Sequence, residues 1–274
     1  MPTDITTHDG VKLNIEDTGG DGRPVVLIHG WPLSGESWSH QIGPLADAGY
    51  RVITYDRRGF GASDKPDSGY DYDTFAADLG AVLDGLGLKD ATLVGFSMGG
   101  GEVARYLGSH GSERVSEAVF AAAVPPFLLK TDDNPDGGLD EDTIEGWRGA
   151  IAEDRDGFME EFSKGFFSAG DELKVSEEER QEAKALSEPA SLTAFRECVT
   201  AFGTTDFRGD LEKIDVRTLV IHGDSDATVP VEISGKRTAE MVDGAELEVI
   251  EGGPHGLNAS HADEFNSKLI TFMA

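Results

Sequence analysis

The sequence predicts an α/β fold: a mostly parallel central sheet, helices on both of its faces, and a helical segment inserted late in the chain. Three observations carry that prediction. Short continuous apolar runs, such as Pro24–Ile28 and Ala91–Phe96, alternate with longer stretches whose apolar residues recur at helical spacing. That is the rhythm of strands buried on both faces and the helices that cover them. The alternation stops between Phe127 and Asp206, where only helical patterns remain, and then resumes. Between the strand pattern Ala91–Phe96 and a helix pattern from Met98 stands one serine, Ser97, inside Gly95-Phe96-Ser97-Met98-Gly99.

Taken in order, Asp4 to Asp17 reads as two short strands around the turn His8-Asp9-Gly10. Pro24–Ile28 is a buried strand that runs into the loop His29-Gly30-Trp31-Pro32-Leu33-Ser34-Gly35. Glu36–Ala48 is a helix with Trp38, Ile42 and Leu45 on one face, and Arg51–Tyr55 is the next strand. A Gly- and Asp-rich loop, DRRGFGASDKP, leads to a helix over Thr74–Leu86. After the serine turn and its helix, Val115–Val124 is a strand closed by Pro125-Pro126. The inserted segment has helical patterns near 140–152, 157–167, 177–186 and 191–202 and no strand signal. Its aromatics recur at helical spacing, so it reads as a helical cap rather than a linker. The chain then resumes with strand Thr218–Ile221, helix Glu232–Val242, strand Leu247–Ile250 and helix Ala262–Met273. Residues 1–126 and 207–274 would form the core and 127–206 the cap.

The composition narrows the function classes. Twenty-three basic against 52 acidic residues give a net charge of −29, with only ten lysines. That balance argues against nucleic acid or anionic membranes as partners. The acid is spread along the whole chain, which points to a solvated acidic surface of the kind suited to molar salt. The one cysteine, Cys198, lies in an amphipathic helical pattern and reads as a small buried apolar residue. No apolar run is long enough for a membrane span, and the N-terminus lacks a basic start and an apolar core, so a cytoplasmic enzyme is expected.

The chemistry centres on Ser97. A sharp strand-to-helix turn would hold its hydroxyl at the carboxyl edge of the sheet, with Gly95 and Gly99 letting strand and helix approach without a Cβ clash. Five residues in a glycine-rich chain would be weak evidence alone; the flanking strand and helix strengthen it, and so do the partners downstream. Serine needs a base, and the base needs an orienting acid. His255 follows the last strand in a Gly-Pro loop from which it can reach over the sheet edge. It is preferred to His222, which should point into packing, to His29, which should shape its own turn, and to His261 at a helix start. HGDSDATVP supplies two acids. Asp224, at the strand end, should tie down the turn, and Asp226 is the better orienter. The backbone N–H of Met98, at a helix N-terminus, and that of Trp31 are the candidate oxyanion donors; Pro32 has none.

These motifs resemble the cofactor-free, non-haem haloperoxidases, also described as perhydrolases and aryl esterases, of the α/β-hydrolase superfamily. The resemblance runs through HGWPLSG, YDRRGFGASDKP, GFSMGGGEVARY, VPPFLLKTDDNPDGG, TDFRGDLEKIDVRTLVIHGDSDATVP and EGGPHGLNASH. It implies a Ser97-Asp226-His255 triad, an oxyanion hole from Trp31 and Met98, and a pocket including Trp31, Phe162 and Phe166. It implies acyl transfer from a small ester or short carboxylic acid to water or hydrogen peroxide, with no haem or metal cofactor. The peracid made with peroxide would oxidise halide on its own. It also points to a homo-oligomer. Two departures bear on acyl-group preference: Thr228 stands where the family usually has an aliphatic residue, and SAGDELKVSEEER in the cap is unusually acidic. Haloalkane dehalogenases and epoxide hydrolases share the architecture but use an aspartate nucleophile, against which Ser97 argues. The same triad would also serve a carbon–carbon bond or lactone hydrolase, and a non-catalytic ligand-binding relative would keep it idle.

Overall fold

The computed structural model describes residues 3–274; Met1 and Pro2, where the N-terminal stretch read above begins, lie outside them. Eight strands form the main sheet: β1 (Thr3–Thr6), β2 (Lys12–Asp17), β3 (Pro24–Ile28), β4 (Arg51–Tyr55), β5 (Ala91–Phe96), β6 (Val115–Ala121), β9 (Arg217–Gly223) and β10 (Glu246–Ile250). Across the sheet they stand in the order β1-β2-β4-β3-β5-β6-β9-β10. The two pairings that involve β2 are antiparallel and all others are parallel. Side-chain alternation along the strands builds two cores: Val26, Ile28 and Leu93 face one layer, Val25, Leu27, Val94 and Phe96 the other. Helices α2 (Tyr72–Gly85) and α3 (Met98–His110) cover the first face, and α1 (Ser39–Asp47), the short α9 (Leu257–Ser260) and α10 (Ala262–Met273) the second.

Side-chain caps set several helix starts. Asp71 accepts the Thr74 N–H at 2.9 Å, which moves the start of α2 two residues ahead of the expected Thr74. Strand β6 ends three residues sooner than expected. At Ala122 the backbone turns left-handed, with φ of 43°, and leaves the sheet.

Between β6 and β9 the chain forms α4 (Glu141–Phe167), α5 (Glu177–Ala185), α6 (Leu192–Thr204) and α7 (Arg208–Leu211). The two helical patterns expected within 140–167 meet at Asp154, whose φ/ψ of −149°/85° is not helical; its carboxylate accepts the Gly157 N–H and starts the second half. The expectation of no strand in this segment needs correction. β7 (Ser168–Ala169) and β8 (Glu172–Leu173) form a small antiparallel hairpin. Gly170, at φ 59°, supplies the tight two-residue turn with a backbone conformation that glycine adopts readily. Strands this short leave no periodicity to read.

Arg180 of α5, 1% exposed, fastens this helix to α4. It donates to Glu160 at 2.6 Å, to Ser163 and to Glu177. The hydrogen bonds from Arg180 hold both carboxylates at about 2, against an ordinary 4.5. Their folded values lie below the unfolded one, so the contribution is complete above about pH 4.5 and is lost as pH falls toward 2. Amide exchange in α5, corrected for its intrinsic pH dependence, should therefore quicken relative to β5 between neutral pH and about pH 3. Equal protection at both pH values would show that the clamp contributes nothing.

Candidate active site

The parallel strands end on one edge, and the loops that leave it carry His29 after β3, Ser97 after β5, Asp226 after β9 and His255 after β10. Ser97 sits at φ 54°, ψ −118° between β5 and α3. Glycines make that turn possible. A Cβ on Gly95 would lie 2.5 Å from the Gly99 carbonyl oxygen, and one on Gly99 would lie 2.4 Å from that of Ile28. The serine hydroxyl lies 2.9 Å from His255 Nε2, and His255 Nδ1 lies 2.7 Å from Asp226 Oδ2. The other carboxylate oxygen, Oδ1, accepts the N–H groups of Thr228 and Val229 at 2.9 and 2.8 Å. Burial raises the Asp226 carboxyl, but His255 and His222 outweigh it and hold the group well below the usual carboxylate range. It is therefore an anion, so Nδ1 of His255 carries the imidazole proton and Nε2 is left to accept from the serine.

Behind the serine lies a buried polar network. Glu102 of α3 accepts from Arg57 Nε at 2.8 Å and from the Tyr55 hydroxyl. Arg57 also donates to the His29 carbonyl at 2.9 Å, and its backbone N–H donates to His29 Nε2 at 3.0 Å. The second His29 nitrogen faces the Gly30 carbonyl at 2.9 Å. Burial, with the Arg57 charge beside it, pushes His29 well down, so it is a neutral ring that ties its turn to the Arg57–Glu102 pair. Among the described residues, the backbone N–H groups of Trp31 and Met98 donate to no protein acceptor. Both residues are buried, and Gly30 packs against the Ser97 side chain.

The cavity over Ser97 is tight, about 20 Å³, and is lined by Trp31, Val124, Leu139, Trp147, Phe162, Phe202, Thr228, Val229 and His255. The Trp31 indole donates to the Phe195 carbonyl at 2.9 Å and packs edge-on against Phe162 and Phe202.

The model of the alpha/beta hydrolase fold matches residues 23–262. The chain belongs to that family. Within it the chain stands with the non-heme haloperoxidases. It is 44% identical to the non-heme chloroperoxidase CPO-A1 of Kitasatospora aureofaciens, over 98% of each chain. It is 37% identical to the bifunctional esterase/perhydrolase DCH of Acinetobacter calcoaceticus, again over 98% of each. The crystal structure of a bromoperoxidase from Bacillus anthracis superposes with a TM-score of 0.97 at 53% identity, covering 100% of this chain and 99% of that one.

The hydrolase brings Ser97, Asp226, His255, Trp31, Met98, Phe162 and Thr228 together at one site. Phe166 differs from its expected place: it packs edge-on against the His255 ring, centroids 4.9 Å apart, and lines a neighbouring cavity with Pro32 and Leu33 rather than the one over Ser97. Phe162 borders both cavities. Asp224, expected to tie down its own turn through backbone N–H groups, instead accepts at its carboxylate the Gly252 N–H of the loop after β10, at 2.7 Å, and the Ser225 hydroxyl. Cys198 is fully buried, and burial pushes its thiol well above the ordinary range, so it is no nucleophile. Sequence reasoning missed Val124, Leu139, Trp147, Phe202 and Val229 as pocket walls. Val124 and Val229 lie inside stretches singled out above, yet nothing local shows that their side chains face the cavity, and Leu139, Trp147 and Phe202 come from separate segments with no motif to mark them. Nor does His222 merely point into packing: its Nε2 lies 3.2 Å from Asp226 Oδ2.

Proposed function

We propose that this hydrolase transfers acyl groups from short or aryl esters, and from short carboxylic acids, to water or hydrogen peroxide through a serine ester. The observation that carries this reading is the continuous chain from Ser97 Oγ to His255 to Asp226, opening into an apolar cavity beside two unused backbone N–H groups. Ser97 Oγ attacks the acyl carbonyl while His255 Nε2 takes its proton. The oxyanion that forms accepts from the Trp31 and Met98 N–H groups. Collapse expels the alcohol, or water when the donor is an acid, which takes its proton from His255, and leaves acyl-Ser97. His255 then takes a proton from the incoming acceptor as it attacks the acyl carbonyl, and gives that proton to Ser97 Oγ as the acyl–Oγ bond breaks. Water releases the acid; peroxide releases the peracid. Similarity to a bifunctional esterase/perhydrolase supports the second acceptor.

In this reading residues 127–206 act as a cap whose aromatics, Phe162 with Trp147 and Phe202, close the acyl pocket and favour short acyl groups. The test is a comparison of rates on short and long acyl esters, with and without peroxide. Turnover should fall steeply as the acyl chain lengthens, and peracid should form in proportion to peroxide. Equal rates on long chains, or no peracid, would overturn the reading.

The charge supports a working environment of concentrated salt. At −29 on 274 residues, like charges repel in dilute buffer. The Debye length of about 10 Å at 0.1 M shrinks to about 3 Å at 1 M, which removes most of that repulsion. Melting temperature and esterase rate are both expected to rise from dilute buffer to molar potassium chloride. Equal or higher values in dilute buffer would refute the halophilic reading alone.

A further inference from the structure

His222, in β9, has no exposed surface. Its Nε2 faces only oxygens: the Val229 carbonyl at 2.7 Å and Asp226 Oδ2 at 3.2 Å. A ring nitrogen between two acceptors must carry a proton, so His222 is the Nε2–H tautomer or doubly protonated. Nδ1 has no partner among the described residues, and the Gly235 backbone lies so close that a Cβ there would sit 2.6 Å from it. The ring is thus wedged with one working edge, aimed at the turn Asp226–Val229. That turn holds the acid twice over, because the Val229 N–H donates to Oδ1 while the Val229 carbonyl accepts from His222. Oδ2, the oxygen offered to His255, is approached by both imidazoles.

We infer that His222 is a positioning residue of the active site: its Nε2–H pins the Asp226–Val229 turn and the Oδ2 oxygen, so that Asp226 presents one fixed, partly satisfied oxygen to His255. The inference rests on the reading of Ser97, His255 and Asp226 as the reacting constellation. The charged and titratable groups facing the ring are Asp226, His255 across that carboxylate, and Glu232 ahead of α8 (Gly235–Met241). Glu232 is paired with Lys236 at 3.2 Å.

The consequence has a sign. Without the second donor, Asp226 keeps more of its charge for the His255 Nδ1–H. The imidazolium form of the reacting pair is then favoured. In His222→Leu the acidic limb of the kcat/KM profile for a short ester should move up by about half a pH unit or more. kcat should fall about tenfold from the loosened turn, with KM little changed. His222→Gln, which keeps an N–H at similar reach, should restore the limb and most of kcat. In the wild-type enzyme, nitrogen-15 NMR of the labelled histidines should find the His222 proton on Nε2.

A His222 whose proton sits on Nδ1 alone overturns the inference outright, and does so even if His222→Leu fails to fold. A folded His222→Leu with unchanged limb and kcat also overturns it, as does a His222→Gln no better than the leucine variant. A Ser97→Ala enzyme run beside these keeps the two readings apart. Retained activity there defeats the serine reading, whereas its loss together with an unmoved limb in His222→Leu defeats only this one.

Discussion

Replacing Ser97 with alanine is expected to lower kcat for ester hydrolysis by about four orders of magnitude or more, with the melting temperature almost unchanged. The rate falls because the serine hydroxyl is the group within hydrogen-bond reach of His255 Nε2, at 2.9 Å. On the proposed mechanism no acyl-enzyme then forms, and the two backbone N–H groups would assist only direct attack by water. The fold should hold because serine and alanine share a Cβ, so the strain of φ 54° is the same for both. Among the described residues, the serine oxygen hydrogen-bonds to His255 alone. Steady-state rates on a chromogenic short ester, together with a fluorophosphonate label that marks wild type and spares the variant, check this. A variant that labels or retains most of its turnover would mean that another residue is the nucleophile.

Asp226→Asn should cost about three to four orders of magnitude in kcat, and Asp224→Asn no more than about threefold. The difference follows from donors. Both Asp226 oxygens face N–H groups: Thr228 and Val229 at Oδ1, His255 at Oδ2, with His222 close by. An asparagine has one oxygen, so whichever way the amide turns, its NH₂ meets a donor. If it faces His255, the ring must move its proton to Nε2 and loses its base. If it faces the turn, the Thr228–Val229 hinge is broken. Either mismatch leaves a buried polar group unpaired, worth about 1–3 kcal/mol, so the melting point should drop as well. Asp224 needs only one acceptor oxygen, for the Gly252 N–H and the Ser225 hydroxyl, and an asparagine carbonyl supplies it. Kinetics and thermal melts of the two variants decide the matter; the reverse order would make Asp224 the orienting acid.

Much of the fold was legible because its signals are local. Buried parallel strands such as Pro24–Ile28 are continuous apolar runs, and the structure returns that strand with the bounds read from the sequence. The glycines around Ser97 are legible as a local pattern, and the structure gives their reason: a Cβ at Gly95 or Gly99 would lie 2.5 or 2.4 Å from a backbone carbonyl oxygen. Strand ends were less so. The apolar run continues unbroken through Ala121, Ala122, Ala123 and Val124, which hides the turn at Ala122, where only the backbone dihedral marks the exit from the sheet. The hairpin at 168–173 is too short to show a period.

The sequence by itself determined the architecture, the serine turn, and the identity of the candidate base and acid, since each sits just after a strand and strand ends share one edge. The tertiary structure alone decided which further side chains wall the cavity and what surrounds the acid. Val124, Leu139, Trp147, Phe202 and Val229 meet over Ser97 only after the chain between β6 and β9 has folded back across the sheet edge. Phe162 and Phe166 look equivalent one helical turn apart, yet the crossing of α4 sends the first to the cavity and the second onto the His255 ring. His222 reads as one more buried strand residue until the turn at Asp226 brings the carboxylate back over it. The physical reason is common to all three. Periodicity and turn chemistry act between neighbours in sequence, whereas a pocket wall or a second donor is set by packing between segments that approach each other only in the folded chain.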